Sequence, residues 1–189
     1  IYLKNINFSS NKIVKRKNKY LATKKELSYT SKIFLENNEN FAVINKPTGI
    51  AVQSGTKSKR NILDILRSTK EFESAYPYAV HRIDKETSGI LIVAKNRKYA
   101  QLFTSLFRIR KIHKTYLGVV KGTLKDKKGT LIDNLFYYEG NKKIIVNAIT
   151  HFKIIDSNLN LTITSLAKLT NFSSWKFDLK LPNSDKWLN

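Results

Sequence analysis

One carboxylate, Asp84, stands where a protein can hold a reactive group. It lies in the polar stretch His81–Gly89, which leads directly into the apolar run Ile90–Ala94. A polar loop ahead of a buried strand keeps a side chain fixed and still open to a substrate. An aspartate in such a loop can be a nucleophile or a general base, and it can equally be a salt-bridge partner or a turn former.

The neighbours of Asp84 narrow these alternatives. Arg82 and His81 precede it, and the hydroxyls of Thr87–Gly89 can tie the loop to itself. The nearest second carboxylate, Glu86, is flanked by lysine, which favours a surface role. No other acid has the spacing of a glycosidase pair or of a metal site.

The bulk composition points to a polyanionic partner. The chain has 189 residues, a net charge of +21 and 41% hydrophobic residues, which is enough for the core of one domain, alone or with a fragment attached. Such a charge favours nucleic acid. The alternative is a solvated lysine coat, because abundant Lys, Asn and Ile are also what an AT-biased genome would produce.

Several classes of site and location are disfavoured. The chain has no cysteine, and its three histidines lack the spacing of metal ligands. We therefore expect no metal site. We also expect no membrane span, since no apolar run approaches about 20 residues. The lysine- and asparagine-rich start lacks the apolar segment of a secretory signal, so we expect a cytoplasmic protein.

The order of predicted elements favours an α+β fold. Residues 1–30 form a basic linker, and the packed domain, residues 31–189, starts near Ser31. Its central sheet is expected to be mixed but largely antiparallel, flanked by helices and loops. The pattern predicts a strand at 41–44 closed by a turn at 45–49, a helix at 61–69, a strand at 89–95, a hairpin turn at 125–129 and strands at 130–138, 143–150, 151–155, 159–164 and 173–181.

The second predicted helix, which Asn96 can cap, has a cluster of basic residues at its C-terminal end. Arg108, Arg110 and Lys111 load its last turn, where cations suit the helix dipole and could also meet phosphates. The following strand, 112–120, alternates so that Lys114 and Tyr116 share one face. Taken alone, Tyr116 on such a strand is a core-packing residue.

Three motifs resemble one enzyme family. The segment His81–Gly89 is similar to the His-Arg-Leu/Ile-Asp-x-x-Thr-Ser-Gly signature of the RluA-type pseudouridine synthases, which isomerise uridine to pseudouridine in RNA. Lys114–Gly122 resembles the family's Lys-x-Tyr motif, and Asn45–Gly49 resembles its first motif. The segment Gly49–Lys57 resembles the branch that modifies large-subunit ribosomal RNA. The resemblance covers residues 41–155.

The resemblance implies a role for each site residue. Asp84 would attack the nucleoside or assist cleavage of its glycosidic bond, and Tyr116 would stack on the uracil and serve in proton removal at carbon 5. Arg82 would fill the space of a flipped base or hold a phosphate. His81 would orient the loop beside the RNA. The residues expected to contact RNA are Arg82, His81, Arg108, Arg110, Lys111 and Lys114. The expected partner is 23S ribosomal RNA. The enzyme is expected to be a monomer that needs no cofactor.

One family motif is missing from the sequence. The family's Thr-Gly-Arg-x-His-Gln-Ile-Arg motif is expected after the strand at 176–181, but Pro182–Asn189 follows instead. Residues 1–30 similarly resemble at most the remnant of an N-terminal S4-type RNA-binding domain. We therefore expect a truncated synthase, incomplete at its C-terminal end, with reduced or lost activity. The alternatives are a homologue that only binds RNA, and a chain that does not fold stably.

Overall fold

The computed structural model describes residues 20–55 and 59–168. Helices and strands are mixed in the first part of the described chain, and only strands follow α3, as expected for an α+β fold. They are α1 (Lys24–Thr30), β1 (Phe34–Asn37), β2 (Phe41–Lys46), α2 (Ile62–Leu66), a 3-10 turn (Lys70–Phe72), β3 (Tyr78–Ala79), β4 (Gly89–Ala94), α3 (Arg97–Arg108), β5 (Thr115–Lys121), β6 (Lys128–Glu139), β7 (Lys142–Ser157) and β8 (Leu161–Lys168).

The first sheet has the strand order β1-β2-β4-β3, and all its strand pairs are antiparallel. Strand β2 pairs with β4 along its whole length, from Phe41 opposite Ala94 to Lys46 opposite Gly89. Both loops lie at the end where Lys46 faces Gly89, because the turn Asn45–Gly49 follows β2 there and the Asp84 loop precedes β4. The register therefore brings two of the sequence motifs together.

The second sheet has the order β5-β8-β7-β6 and is also antiparallel. The predicted hairpin at 125–129 is wrong, because β5 pairs with β8 and not with the next strand in sequence. The two strands predicted at 143–150 and 151–155 are one continuous strand, β7, since no turn residue separates Thr150 from His151. The strand predicted at 173–181 lies outside the described residues.

The helices begin where the sequence provides caps. Asn96 caps α3 by accepting a hydrogen bond from the Tyr99 N–H at 3.0 Å, as predicted. Helix α1 begins with a capping box formed by Thr23 and Glu26. It lies in the stretch that the sequence assigned to a linker. The packed unit therefore begins before the predicted position, Ser31.

The main core lies between the first sheet and helix α2. Its buried apolar side chains include Ile44, Ile65, Leu91 and Phe72, all at most 2% exposed. Among the described helices none is long and apolar enough to cross a membrane. The same ranges contain no group of three or more His, Cys, Asp or Glu side chains that could hold a metal ion.

Candidate active site

Asp84 lies in the loop between β3 and β4, as the sequence predicted. The loop turns on itself through a hydrogen bond from the Thr87 N–H to the Asp84 carbonyl at 3.2 Å. It ends at Gly89, whose φ of 121° lies in a region that favours glycine. The Asp84 side chain is partly exposed, so a substrate can reach a carboxylate whose backbone is fixed.

The turn Asn45–Gly49 holds this loop from the other side. The Gly49 N–H donates to the Lys85 carbonyl at 2.9 Å, and the Thr48 hydroxyl donates to the Glu86 carbonyl at 2.8 Å. These contacts join residues almost forty positions apart in the chain. The turn Asn45–Gly49 and the Asp84 loop therefore form one structural unit around the backbone that follows Asp84.

A buried lysine, Lys46, completes that unit. The residue is fully buried, and its ammonium donates to the carbonyls of Pro47 at 2.8 Å, Ile50 at 2.9 Å and Lys85 at 3.2 Å. Burial lowers the pKa of Lys46 to about 8, and the negative charges of Glu86 and Asp84 partly oppose this shift.

No role for Lys46 was predicted from the sequence. One feature of the sequence could have indicated a role: the apolar strand Phe41–Lys46 ends with a lysine, and a proline follows directly. A lysine in that position is buried only if its ammonium finds acceptors. The acceptors come partly from the distant Asp84 loop, which sequence reasoning did not place there.

Tyr116 faces the same site from strand β5. Its ring packs against the main core while part of the residue stays accessible. Burial raises the pKa of Tyr116, and the Asp84 carboxylate raises it further. The phenol is therefore protonated at neutral pH. The Asp84 carboxylate therefore lies close enough to the Tyr116 phenol to act on it electrostatically.

His81 supports the loop from within. The Ile92 N–H donates to its Nε2 at 2.9 Å, and its ring lies 4.4 Å from that of Phe107, centroid to centroid. Burial, and secondarily the Lys114 charge, lower the pKa of His81 to about 4. A neutral ring bonded to a strand orients the loop and brings no positive charge to a phosphate. The RNA contact of His81 stays a prediction.

The other predicted RNA-binding residues lie mostly at the surface. Arg82, Arg108, Arg110 and Lys111 are exposed, and Lys114 is half-buried with its Nζ 5.9 Å from the centre of the Phe107 ring. Arg110 has a φ of 59°, which is uncommon for a residue other than glycine. Arg108 ends α3, and Arg110 and Lys111 follow it and lead toward Lys114 and Tyr116.

Comparison with known proteins identifies the family. The model of a family described as RNA pseudouridylate synthase matches residues 40–183, which include the Asp84 loop and Tyr116. This match covers well over half of the chain. The chain therefore belongs to the RNA pseudouridylate synthase family.

Curated relatives are about 30% identical to this chain over the aligned residues. Ribosomal large subunit pseudouridine synthase C of Buchnera aphidicola subsp. Baizongia pistaciae is 31% identical over 173 residues, covering 87% of this chain and 53% of its own length. The protein of that name from Rickettsia conorii is 32% identical over 171 residues, covering 82% of this chain and 56% of its own length. The chain thus spans about half the length of these relatives.

Solved structures confirm the α+β fold. Human RNA Pseudouridylate Synthase Domain Containing 4 superposes with a TM-score of 0.64 at 21% identity, covering 76% of this chain and 61% of its own. Human RNA Pseudouridylate Synthase Domain Containing 1 gives a TM-score of 0.59 at 18% identity, covering 73% of this chain and 59% of its own. At these identities the likeness establishes the fold.

Proposed function

We propose that this chain provides the catalytic centre of an RNA pseudouridine synthase that isomerises specific uridines in 23S ribosomal RNA, with Asp84 as the catalytic carboxylate. The observation that supports this most directly is the coupling of Asp84 to Tyr116 in one partly open site. The substrate class, ribosomal RNA of the large subunit, is that of the curated relatives, which are ribosomal large subunit pseudouridine synthases.

The proposed reaction needs no atom beyond those of the substrate. Asp84 attacks the nucleoside or assists cleavage of the bond between the ribose and N1 of uracil. The detached base turns and carbon 5 bonds to the ribose, the carbon 5 proton leaves and N1 gains a proton. Where Asp84 had formed an ester, that ester bond breaks and the carboxylate is released. No electrons are gained or lost overall, so we propose that no cofactor takes part.

The protonation of Tyr116 suits a late role in this sequence. While Asp84 is charged, its carboxylate keeps the phenol protonated. If Asp84 attacks, it becomes a neutral ester, and that contribution to the raised Tyr116 pKa disappears. We therefore propose that Tyr116 stacks on the uracil first and takes part in removing the carbon 5 proton only after Asp84 has reacted.

The substrate uridine must leave its stack to reach Asp84, which costs a few kcal/mol. We propose that Arg82, which is exposed and two residues before Asp84, fills the vacated space or holds a neighbouring phosphate. Arg108, Arg110, Lys111 and Lys114 would contact the backbone of the RNA. The basic linker or S4 remnant predicted ahead of the packed unit, the monomeric state and the cytoplasmic location remain part of the proposal.

A second candidate function is RNA binding without turnover. The net charge of +21 favours it, because such a charge binds RNA regardless of Asp84. RNA binding that weakens with salt and is unchanged in Asp84→Asn, with no product in either protein, would support this candidate.

The test uses RNA labelled with tritium at carbon 5 of uridine, because the isomerisation releases that hydrogen to water. The chain should release tritium, and Asp84→Asn should reduce the rate by at least about 10³-fold while binding RNA normally. Glu86→Gln is the matched control, since Glu86 is a carboxylate two residues away whose side chain is 75% exposed. Equal rates in the wild type and Asp84→Asn would overturn the assignment.

A further inference from the structure

We propose that Phe107 is a positioning residue that fixes the Asp84 loop relative to Tyr116 through its contacts with His81 and Lys114. The inference rests on the proposed function, in which Asp84 and Tyr116 act on the same uridine. It adds a residue of helix α3 to a site otherwise built from a loop and a strand.

The first contact reaches the Asp84 loop. The His81 ring lies 4.4 Å from the Phe107 ring with an angle of 35° between their planes. The Nε2 of His81 accepts the Ile92 N–H at 2.9 Å, so the histidine cannot turn away from Phe107 without losing a hydrogen bond to β4. Phe107 therefore packs against a fixed ring three residues before Asp84.

The second contact reaches the strand that carries Tyr116. The Lys114 Nζ lies 5.9 Å from the centre of the Phe107 ring, within the range of a cation–π contact. Lys114 lies two residues before Tyr116, directly before the start of β5. Phe107 thus contacts a residue close to each of the two proposed catalytic side chains.

Backbone pairing does not supply this link. In the described ranges β5 pairs with β8, and the two four-stranded sheets share no strand. The placement of Tyr116 relative to Asp84 therefore depends on side-chain packing between the sheets. A misplacement of about 1 Å at a reacting centre can lower a rate about 10²-fold, so a smaller side chain at 107 should affect turnover directly.

The kinetic test compares two phenylalanines of the same helix. Phe107→Leu should lower kcat by about 10- to 100-fold and change KM for RNA less than about threefold. Phe107→Tyr keeps the ring and should restore kcat to within about threefold. Phe103→Leu is the matched control, because Phe103 packs on Phe41, with ring centroids 5.1 Å apart, on the same helix. Equal loss of kcat in Phe107→Leu and Phe103→Leu would overturn the proposal.

A second readout does not need turnover. Fluorine NMR of 3-fluorotyrosine-labelled protein reports on the Tyr116 ring, whose signal Tyr116→Phe identifies by its loss. Phe107→Leu should shift or broaden that signal, and Phe103→Leu should leave it unchanged. An unmoved Tyr116 signal in folded Phe107→Leu overturns the positioning role. Absence of tritium release in the wild type would instead count against the proposed function.

Discussion

The Nζ of Lys46 lies 3.2 Å from the carbonyl oxygen of Lys85, the residue that follows Asp84. A fully buried cation thus contacts the backbone next to the proposed catalytic carboxylate. The same ammonium donates to the carbonyls of Pro47 and Ile50. Lys46 therefore links the turn after β2 to the Asp84 loop.

Replacing Lys46 with methionine should destabilise the protein by about 3 kcal/mol, because three backbone carbonyls lose the buried ammonium that donates to them. Urea unfolding measures this difference. The exposed Lys98→Met should stay within about 0.5 kcal/mol of the wild type. Equal stability of the two variants would show that the Lys46 hydrogen bonds do not hold the loop.

Gly89→Ala should cost about 1–2 kcal/mol, because the φ of Gly89 is 121° and a Cβ is strained there even though no atom lies within 4 Å of it. A Cβ at Gly55 also has no atom within 4 Å, and the φ of Gly55 lies outside the positive range. Gly55→Ala should therefore change the unfolding free energy by less than about 0.5 kcal/mol. Thermal unfolding of both variants compares them. A cost that is the same at both positions would contradict the argument from backbone strain.

His81 should make the stability of the protein fall as the pH falls. Its pKa is lowered from 6.5 to about 4 in the folded state, so the unfolded chain binds more protons between these values. Stability is therefore lost as the pH drops from 6.5 toward 4, by up to about 3 kcal/mol. His81→Gln keeps an acceptor for the Ile92 N–H and should show a smaller loss in urea titrations across this range. Parallel curves would contradict this prediction.

Arg110→Gly should change stability and RNA affinity in opposite directions. Arg110 follows the end of α3 with a φ of 59°, where glycine should be about 1 kcal/mol more stable. Removing a phosphate contact should weaken RNA binding and reduce the salt slope by about one. Arg110→Lys keeps both the charge and the backbone strain, so it should resemble the wild type in both measurements. Unchanged RNA affinity in Arg110→Gly would remove Arg110 from the proposed RNA contacts.

Local patterns predicted much of the site and part of the fold. The Asp84 loop, the Asn96 cap and the face that carries Tyr116 each depend on residues close in sequence, so a motif or a periodicity was sufficient. The pairing of β5 with β8 joins Thr115 to Ala167 and has no local signature. The role of Lys46 was missed for the same reason, since one of its acceptors is 39 residues away.

The central claim is that Asp84 converts uridine to pseudouridine in ribosomal RNA. The most direct measurement is carbodiimide labelling and primer extension on unmodified 23S RNA after incubation with the wild-type chain or with Asp84→Asn. The account predicts pseudouridine at discrete positions with the wild type and none with Asp84→Asn. A folded wild-type chain that binds the RNA and leaves every uridine unmodified would contradict it.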